Sequence, residues 1–399
     1  MTNTVYIARQ PIFDRDAEVL GYELLFRERG EDQAAVVDDD DQATSQVLLH
    51  TFMEIGLERI AGERLAFFNL GHSFLSGRFP LPFPPEQVVI EVIERTPVDQ
   101  ALLAGVHHLV ADGYRIALDD VVYDPALAPL LDLAWMVKVD VRRVGPDGLA
   151  EQVDLLRRHD VLLVAEKVED HEMLAWCKAL GFDYFQGFVL SHPNMVAGRA
   201  IPLERLASLQ LLATVNRPGT SFEQLEALVR QNVALSYRVL RAVNSASAGL
   251  VRRIDSVRDA VVLLGQQKIR NWLTLMVLAD VQDTPKELAT TAMVRAKTCE
   301  RLAVATGRAH PDTCFTAGLL SVLDAIMQAP MAEVLAQLPL SQRLTAALLD
   351  RAGPEGELLS WAIAWEQEDW ETLLEPMLAD VPVGVAYLEG VAWSLEVGL

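Results

Sequence analysis

The sequence is poor in cysteine and in basic residues, and each shortage excludes a class of protein. Its 399 residues include three cysteines, Cys177, Cys299 and Cys314, which show neither the spacing of a metal site nor a framework of pairs. This cysteine usage fits a reducing compartment. The 34 basic residues against 56 acids give a net charge of −22, so the chain lacks the basic face that a general nucleic-acid-binding protein needs. We predict no nucleic-acid partner.

Long apolar runs are missing as well. The longest lies near Trp272–Ala279 and is far shorter than the ~20 residues of a membrane-spanning helix. The opening MTNTVYIARQ lacks the apolar core of a signal peptide. We therefore predict a cytoplasmic protein with no membrane partner.

The length of the chain favours two domains, because one hydrophobic core rarely serves so many residues. Residues 1–200 alternate apolar strands with helical segments, which is typical of a parallel sheet buried on both faces. TVYIARQPIF and EVLGYELLF flank the polar turn DRDAE, which predicts an opening hairpin and so one antiparallel strand. Thr96 and Pro97 predict a helix start. Residues 201–399 show helical periodicity without strands, which places the boundary near Ile201–Pro202.

Polar residues recur at the ends of successive strands in the first half. They lie about one strand–helix unit apart and are Asn69, Glu91, Asp119, Lys138, Glu166 and Gln186. Polar groups that converge at the carboxyl ends of consecutive parallel strands are typical of the active site of a closed (β/α) barrel. We therefore predict an α/β domain with a TIM-like barrel, followed by an all-α domain.

The segment GYELLFR leaves two interpretations open when it is taken alone. As a strand, it places Glu23 and Arg27 on one face, where they are either a structural ion pair or the first parts of a site. A single acid at a strand end is more often a loop residue or a helix cap than a ligand.

The set of oxygen-bearing side chains carries more weight than any one member. It comprises Glu23, Asn69, Glu91, Asp119 and Asp120. Carboxylate and amide oxygens are the hard ligands that suit Mg²⁺ or Mn²⁺, and so many acids at one barrel mouth need a cation to neutralise them. Lys138 among them is an ion-pair partner, a neutral amine, or a group aimed at a water or phosphate.

Eight short motifs that contain these residues, taken together and in their order along the chain, resemble the EAL domains, which hydrolyse or bind cyclic di-GMP. The likeness runs through nearly all of residues 5–195 and rests on ARQPIF, GYELLFR, FFNL, EVIE, LDD, VKVD, AEKVE and FQGF. The resemblance implies an EAL-type (β/α)8 barrel that binds cyclic di-GMP with two Mg²⁺ or Mn²⁺ ions. The implied metal ligands are Glu23, Asn69, Glu91, Asp119, Asp120 and Glu166, the catalytic residues are Glu23, Lys138 and Glu166, and the substrate contacts are Gln10, Arg27 and Gln186.

The reaction that the resemblance implies is metal-assisted hydrolysis of one phosphodiester to linear pGpG. Two positions depart from the resembled motifs. Val121 and Val122 follow Asp120 where active members have Phe-Gly and a Gly/Ser-rich loop, and Lys167 replaces the glycine of AEKVE. The departures leave two alternatives open, hydrolysis of cyclic di-GMP or binding without turnover.

Residues 201–399 resemble the HDOD domain, an all-helical relative of the HD phosphohydrolases, through LSYRVLRAVNSASAG, IDSVRDAVVLLGQQKIRNWL and FTAGLLSVLDAI. Metal-dependent relatives carry His-Asp where Ser321 and Val322 stand, and His310 is the one histidine of this region. The resemblance implies a protein-interaction output and allows a homodimer. The alternative for the whole chain is a catalytically inactive, ligand-independent scaffold that acts through HDOD contacts.

Overall fold

The structure of the protein is a computed structural model with two compact units, Met1–Val189 and Leu190–Leu399. The residues that it describes are 5–28, 56–77, 81, 83–93, 96–187, 189, 203–217, 219–231, 256, 262, 263, 265–279, 281, 284–373 and 381–397. The boundary predicted at Ile201–Pro202 falls outside the described residues and stays a prediction.

The first unit contains eight strands that pair in chain order into a closed barrel. The strands are β1 (Val5–Asp14), β2 (Val19–Glu28), β3 (Leu65–Asn69), β4 (Val88–Val92), β5 (Arg115–Leu118), β6 (Met136–Asp140), β7 (Leu162–Glu166) and β8 (Tyr184–Gln186). β1 runs antiparallel to both of its neighbours, β2 and β8, whereas all other neighbouring pairs are parallel. The predicted closed (β/α) barrel with one antiparallel strand is therefore confirmed.

The opening hairpin owes its tight turn to Asp14. One carboxylate oxygen of Asp14 accepts the backbone N–H groups of Asp16 (2.9 Å) and Glu18 (3.0 Å). This side chain thus satisfies backbone donors that the turn would otherwise leave without partners. The turn lies at the amino-terminal end of the parallel strands, because Asp14 pairs with Tyr184, the first residue of β8.

Helices follow the strands along the chain in this unit. Those described are α1 (Glu58–Ala61), α2 (His72–Leu75), α3 (Gln100–Ala111), α4 (Ala128–Leu131), α5 (Val141–Val144), α6 (Pro146–Leu156) and α7 (His171–Leu180). The start predicted for α3 at Thr96 and Pro97 is wrong. Asp99 caps this helix instead, since its side chain accepts the Leu102 N–H at 2.7 Å, and a carboxylate is a stronger cap than a threonine hydroxyl at this position.

The interior of the barrel is filled by one apolar layer, which we call the inner layer. It consists of Ile12, Phe67, Val89, Ala117, Met136 and Val164, all fully buried. Each strand presents alternate residues to the interior, so the next inward position toward the mouth lies two residues farther along each parallel strand. The inner layer therefore fixes which side chains line the floor of the mouth.

The second unit is helical throughout its described residues. Its helices are α8 (Leu203–Val215), α9 (Phe222–Gln231), α10 (Gln266–Ala279), α11 (Lys286–Thr306), α12 (Pro311–Leu320), α13 (Leu323–Met327), α14 (Met331–Leu335), α15 (Gln342–Asp350), α16 (Gly353–Glu366), α17 (Trp370–Leu373) and α18 (Val383–Val397). The long helix α11 packs against α12, α16 and α18. Trp361 and Trp365 of α16 are buried, as expected of an i, i+4 aromatic pair that packs on a core. The predicted all-α second domain is confirmed.

The three cysteines are free and fully buried. Burial raises the pKa of Cys177 to about 12 and that of Cys314 to about 12, and it also raises the pKa of Cys299. All three thiols therefore stay protonated and shielded from solvent at neutral pH. None of the helices that the structure describes combines the length and the apolar character needed to cross a membrane.

Two helical glycines allow a direct test of the packing around the barrel. A Cβ atom on Gly105 of α3 would lie 2.0 Å from the Leu75 carbonyl oxygen and 2.6 Å from Ser76 Cα. Gly105→Ala should therefore lower the free energy of unfolding by about 1–3 kcal/mol through overpacking. Gly148→Ala is the matched control, because a Cβ there meets nothing closer than 3.4 Å. This substitution should raise the free energy of unfolding by at most about 1 kcal/mol. Urea unfolding followed by circular dichroism measures both, and equal effects would contradict the packing of α3 on α2.

Candidate functional site

The polar side chains at the barrel mouth form one ring above the inner layer, which we call the mouth cluster. Its members are Gln10, Glu23, Asn69, Glu91, Asp119, Lys138, Glu166 and Gln186. Asn69, Glu91, Asp119, Lys138 and Glu166 each come two residues after an inner-layer residue, so they share its inward face. Gln10 precedes Ile12 by two residues because β1 runs in the opposite direction. The barrel thus brings together all of these residues that the sequence singled out.

Glu23 on β2 is the most heavily hydrogen-bonded acid of the mouth cluster. Its Oε1 accepts from Asn69 Nδ2 at 3.1 Å, and its Oε2 accepts from Lys138 Nζ at 2.8 Å and from Gln186 Nε2 at 2.5 Å. The Gln186 amide also donates to Gln10 Oε1 at 2.7 Å. Residues from β1, β2, β3, β6 and β8 therefore hold one carboxylate in a single orientation.

Lys138 lies at the centre of the mouth cluster, where its side chain is fully buried. Its Nζ is 2.7 Å from Glu166 Oε1, 2.8 Å from Glu23 Oε2, 2.9 Å from Glu91 Oε1 and 3.1 Å from Asp119 Oδ1. When all four carboxylates are ionised, one ammonium balances one of four negative charges. A buried charge excess of this kind is costly and favours either protons or an additional cation.

Burial and mutual repulsion raise the pKa values of three carboxyl groups here. Burial raises the pKa of Glu91 well above its ordinary value, and the charge of Glu23 raises it further. Burial also raises the pKa of Asp119, and it raises the pKa of Glu166 to about 8. These groups therefore hold protons at a pH where exposed carboxyl groups are ionised.

Glu23 and Lys138 behave in the opposite way, because each has close partners of opposite charge. Burial alone would raise the pKa of Glu23, but the Lys138 charge and the hydrogen bonds from Lys138, Gln186 and Asn69 lower it. Burial alone would lower the pKa of Lys138, but the surrounding carboxylates, led by Glu166 and Glu23, raise it well above its ordinary value. Lys138 is thus an ammonium ion at neutral pH, which excludes the neutral amine among the sequence-based alternatives.

The residues of the mouth fit a divalent metal by their chemistry and by the acceptors they leave over. Among the described residues, the buried atoms Asn69 Oδ1, Glu91 Oε2 and Asp120 Oδ1 have no hydrogen-bond partner. Such hard oxygen donors suit Mg²⁺ or Mn²⁺. Within the same ranges, no group of three histidine, cysteine or acidic side chains is placed so that it could hold a metal ion by itself. The carboxylates converge on the Lys138 ammonium instead, so a metal would share their oxygens with it.

Asp120 and Lys167 extend the mouth beyond the cluster. Asp120 has φ +50° and Lys167 has φ +59°, in the left-handed region that favours glycine. Lys167 Nζ lies 2.5 Å from Asp140 Oδ2 and 3.8 Å from Asp120 Oδ1. Sequence reasoning noticed Lys167 only as an added charge and missed Asp140 at the mouth. The lysine in a glycine position of AEKVE was the signal that could have found this pair.

The loop that follows Asp120 is ordered without any glycine. The backbone N–H of Val121 donates to the Lys138 carbonyl at 3.0 Å, and the Val121 side chain is buried. Asp124 then accepts the Ala126 N–H at 2.8 Å and caps a short 3₁₀ helix, Pro125–Leu127. This loop therefore places Asp119 and Asp120 through backbone bonds and a capping carboxylate.

Arg27 belongs to β2, but its side chain lies outside the described residues, so its predicted phosphate contact stays a prediction.

In the second unit, Ser321 and Val322 are buried. The Arg295 guanidinium forms two 2.7 Å hydrogen bonds with Glu366 and one of 3.3 Å with Ser321 Oγ. Ser321 and Val322, which stand where the resembled hydrolases carry His-Asp, are thus buried, and the Ser321 hydroxyl accepts a hydrogen bond from Arg295.

The raised carboxyl pKa values predict a pH dependence of stability for the protein in EDTA. Between about 4.5 and about 8, folded Glu166 keeps a proton that the unfolded chain has released, so stability falls as pH rises through this window. Glu91 and Asp119 act in the same direction. We expect the midpoint of thermal unfolding to fall over this window, and Glu166→Gln to make the fall shallower. Glu151→Gln, at an exposed site on α6, is the control, and equal slopes in all three proteins would contradict the prediction.

Comparison with known proteins agrees with both halves of the architecture. The sequence profile of the EAL domain matches residues 75–193, and that of the HDOD domain matches residues 202–350. The chain is 36% identical over 373 residues to the cyclic di-GMP phosphodiesterase CdgJ of Vibrio cholerae, covering 92% of this chain and 86% of that protein. It is 28% identical over 400 residues to YuxH of Bacillus subtilis, covering 98% of each chain.

Solved structures of EAL proteins are similar to part of the chain. A calcium and cyclic di-GMP complex of Klebsiella pneumoniae BlrP1 is 23% identical and covers 46% of this chain and 54% of that one, at a TM-score of 0.38. The PaMucR phosphodiesterase in complex with cyclic di-GMP is 22% identical and covers 51% and 94%, at a TM-score of 0.36. The barrel itself is established by its own strand pairing. With its closed barrel, its helical second unit and a relative that matches it over nearly its full length, the chain belongs to the family of proteins that join an EAL domain to an HDOD domain.

Proposed function

We propose that the barrel binds cyclic di-GMP at its mouth and, with Mg²⁺ or Mn²⁺ bound, hydrolyses one phosphodiester to give pGpG. The observation that carries the proposal is the mouth cluster, in which four carboxylates surround one ammonium and buried oxygen acceptors are left over. The relative that is 36% identical over 92% of this chain is a cyclic di-GMP phosphodiesterase, which supports the choice of ligand and reaction.

Six residues of the mouth would hold the metal. They are Glu23, Asn69, Glu91, Asp119, Asp120 and Glu166. When bound, divalent ions supply Lewis acidity that polarises a phosphate oxygen and lowers the pKa of a water molecule. The protein's own contribution is to fix the direction of each oxygen, as the three hydrogen bonds to Glu23 do.

Lys138 contributes a fixed positive charge beneath the reacting phosphate. Because neighbouring carboxylates keep its pKa well above the ordinary value, its Nζ stays protonated and can only donate. It therefore acts as an electrostatic and positioning group, and general-base catalysis falls to a carboxylate. Glu166 is the candidate for that role in its carboxylate form, which bound divalent cations would stabilise; without them burial raises its pKa to about 8 and it keeps its proton at neutral pH.

The outer residues of the site would bind and orient the nucleotide. Gln186 holds Glu23 and Gln10 through its amide hydrogens, while its buried Oε1 has no hydrogen-bond partner among the described residues. Arg27 would neutralise phosphate charge from β2, one strand from Gln10. A site built in this way combines a fixed floor, in which carboxylates surround Lys138, with polar and cationic groups that would contact the nucleotide.

The HDOD unit would carry the output of the protein through a protein partner. Its buried Arg295 is engaged internally through a bidentate pair with Glu366, which fits a structural role for this residue. We also propose that the domains span residues 1–200 and 201–399, that the protein acts in the cytoplasm, and that it forms a homodimer.

A ligand-independent scaffold that acts through HDOD contacts is the second candidate function. The observation that favours it is Lys138, whose ammonium already satisfies part of the carboxylate charge without any ligand. In this case Glu23→Ala and Glu91→Ala would leave the cellular phenotype unchanged. Under the proposed function, both substitutions would abolish the cellular phenotype.

The direct test is incubation of the full chain with cyclic di-GMP and Mn²⁺, with pGpG measured by chromatography. We expect hydrolysis that EDTA abolishes and that Glu91→Gln lowers by at least about 100-fold, as is usual for loss of a group that stabilises the transition state. Glu151→Gln is the matched control and should retain full activity. Calorimetric binding of cyclic di-GMP without pGpG would identify a receptor, and neither binding nor turnover would reject the proposal.

Lys138→Met tests the role of the central ammonium. The substitution keeps the side-chain length but leaves four carboxylates without their shared cation, so hydrolysis should fall by about 100-fold or more. Lys178→Met removes an equal charge at the other end of the barrel, where Lys178 Nζ bonds to the Arg15 carbonyl at 2.6 Å, and should leave the rate unchanged. Circular dichroism at pH 6 and about pH 8 checks folding, and a fully active Lys138→Met protein would contradict the role assigned to it.

A further inference from the structure

Lys167 is a second lysine at the barrel mouth, and its place differs from that of Lys138. It follows Glu166, the last residue of β7, and its side chain is about half exposed, at 51%. Lys138 is enclosed by the mouth cluster, whereas Lys167 lies at the rim beside Asp120 and Asp140. The two lysines therefore act on different carboxylates of the same mouth.

The backbone holds Lys167 in a conformation that a side chain rarely adopts. Its φ of +59° lies in the left-handed region. The next residue, Val168, donates its N–H to the Gln186 carbonyl at 3.0 Å and accepts from Val189 at 3.1 Å. Gly187 packs against it so closely that a Cβ there would lie 2.2 Å from the Val168 carbonyl oxygen. Contacts with β8 and Gly187 thus determine the backbone geometry of this loop and the position of the Lys167 Cα atom.

Asp140 determines where the ammonium of Lys167 lies. Its Oδ1 caps α5 by accepting the N–H groups of Arg142 (2.9 Å) and Arg143 (3.0 Å), so the carboxylate cannot turn away. Its Oδ2 holds Lys167 Nζ at 2.5 Å. A capped and immobile carboxylate therefore keeps the ammonium 3.8 Å from Asp120 Oδ1.

Asp120 is the residue on which this ammonium acts. Its Oδ1 is a buried acceptor without a hydrogen-bond partner among the described residues, and its φ of +50° fixes the side chain at the mouth. A positive charge at 3.8 Å stabilises the carboxylate but repels a divalent cation that approaches the same oxygen. Glu91 also has an ammonium neighbour, Lys138 at 2.9 Å, but that ammonium is buried and shared by four carboxylates.

We propose that Lys167 is a positioning residue that weakens the hold of Asp120 on a divalent cation, because its ammonium lies 3.8 Å from Asp120 Oδ1. This inference rests on the proposed function, because it takes Asp120 as part of the metal site. It gives Lys167 a defined task. The lysine makes occupancy of the Asp120 side depend on the metal concentration, whereas a glycine at this position would have no charge to oppose the cation.

The test is a titration of the full chain with Mn²⁺, with free ion measured by electron paramagnetic resonance, in the absence of nucleotide. Lys167→Met keeps the length and the backbone demands of lysine but removes the charge. We expect it to tighten Mn²⁺ binding by about two- to fivefold at low ionic strength, the range typical of a partly exposed ion pair. Lys167→Arg should bind as the wild type does.

Two controls separate a local effect from the net charge. Lys178→Met makes the same change in net charge at the opposite end of the barrel and should leave the Mn²⁺ affinity unchanged. In an Asp120→Asn background, Lys167→Met should lose its effect, because the carboxylate on which it acts is gone.

The outcomes are distinct from one another. Unchanged or weaker Mn²⁺ binding in Lys167→Met overturns the inference, and so does an equal gain in Lys178→Met, in Lys167→Arg or in the Asp120→Asn background. If the wild type binds Mn²⁺ and Glu91→Gln abolishes this binding, the metal site of the proposed function stands even when the prediction for Lys167 is wrong. If neither the wild type nor Lys167→Met binds Mn²⁺ in this manner, both proposals fail.

Discussion

The arrangement of the barrel mouth depends on the charge balance around Lys138. Four carboxylates share one buried ammonium, and each of them contacts it at ion-pair distance. The balance is incomplete, so burial forces three of the acids to keep protons at a pH where free carboxyl groups have lost them. An additional cation is the other means of relieving this excess. Affinity for a divalent ion is in this sense a property of the unbalanced charge and not of any one residue.

Strand geometry explains how residues far apart in the chain reach this one point. The inner layer occupies inward positions of six strands below the mouth, and alternation then places the next inward residue of each of these strands in the mouth cluster. Gln10 belongs to the same ring only because β1 runs against its neighbours, as its pairing with Glu23 shows. The antiparallel strand therefore adds a polar side chain from a direction that a fully parallel barrel would not use.

Much of this architecture could be predicted from the sequence, for a physical reason. The alternation of apolar strands and helices, and the polar residue at each strand end, follow from local patterns, so the barrel and its ring of polar residues were accessible. The start of α3 was not, because Thr96 and Asp99 are both acceptable caps close together in the chain, and only the structure shows that the Asp99 carboxylate accepts the Leu102 N–H. The shared contact of Lys138 with four acids and the link from Asp140 through Lys167 to Asp120 also depend on distances between strands. No local pattern contains those distances.

The three buried cysteines have a practical and a biological consequence. Their thiols are enclosed by protein, and burial raises the pKa of Cys177 and of Cys314 to about 12. A thiol that stays protonated is a poor nucleophile, so the cysteines of the folded chain react poorly with mild oxidants and alkylating reagents. The three cysteines of the folded chain are thus shielded from the redox state of their surroundings. The same property makes the natural sequence a clean background for a spectroscopic label, since one cysteine introduced on the surface of either unit would react alone.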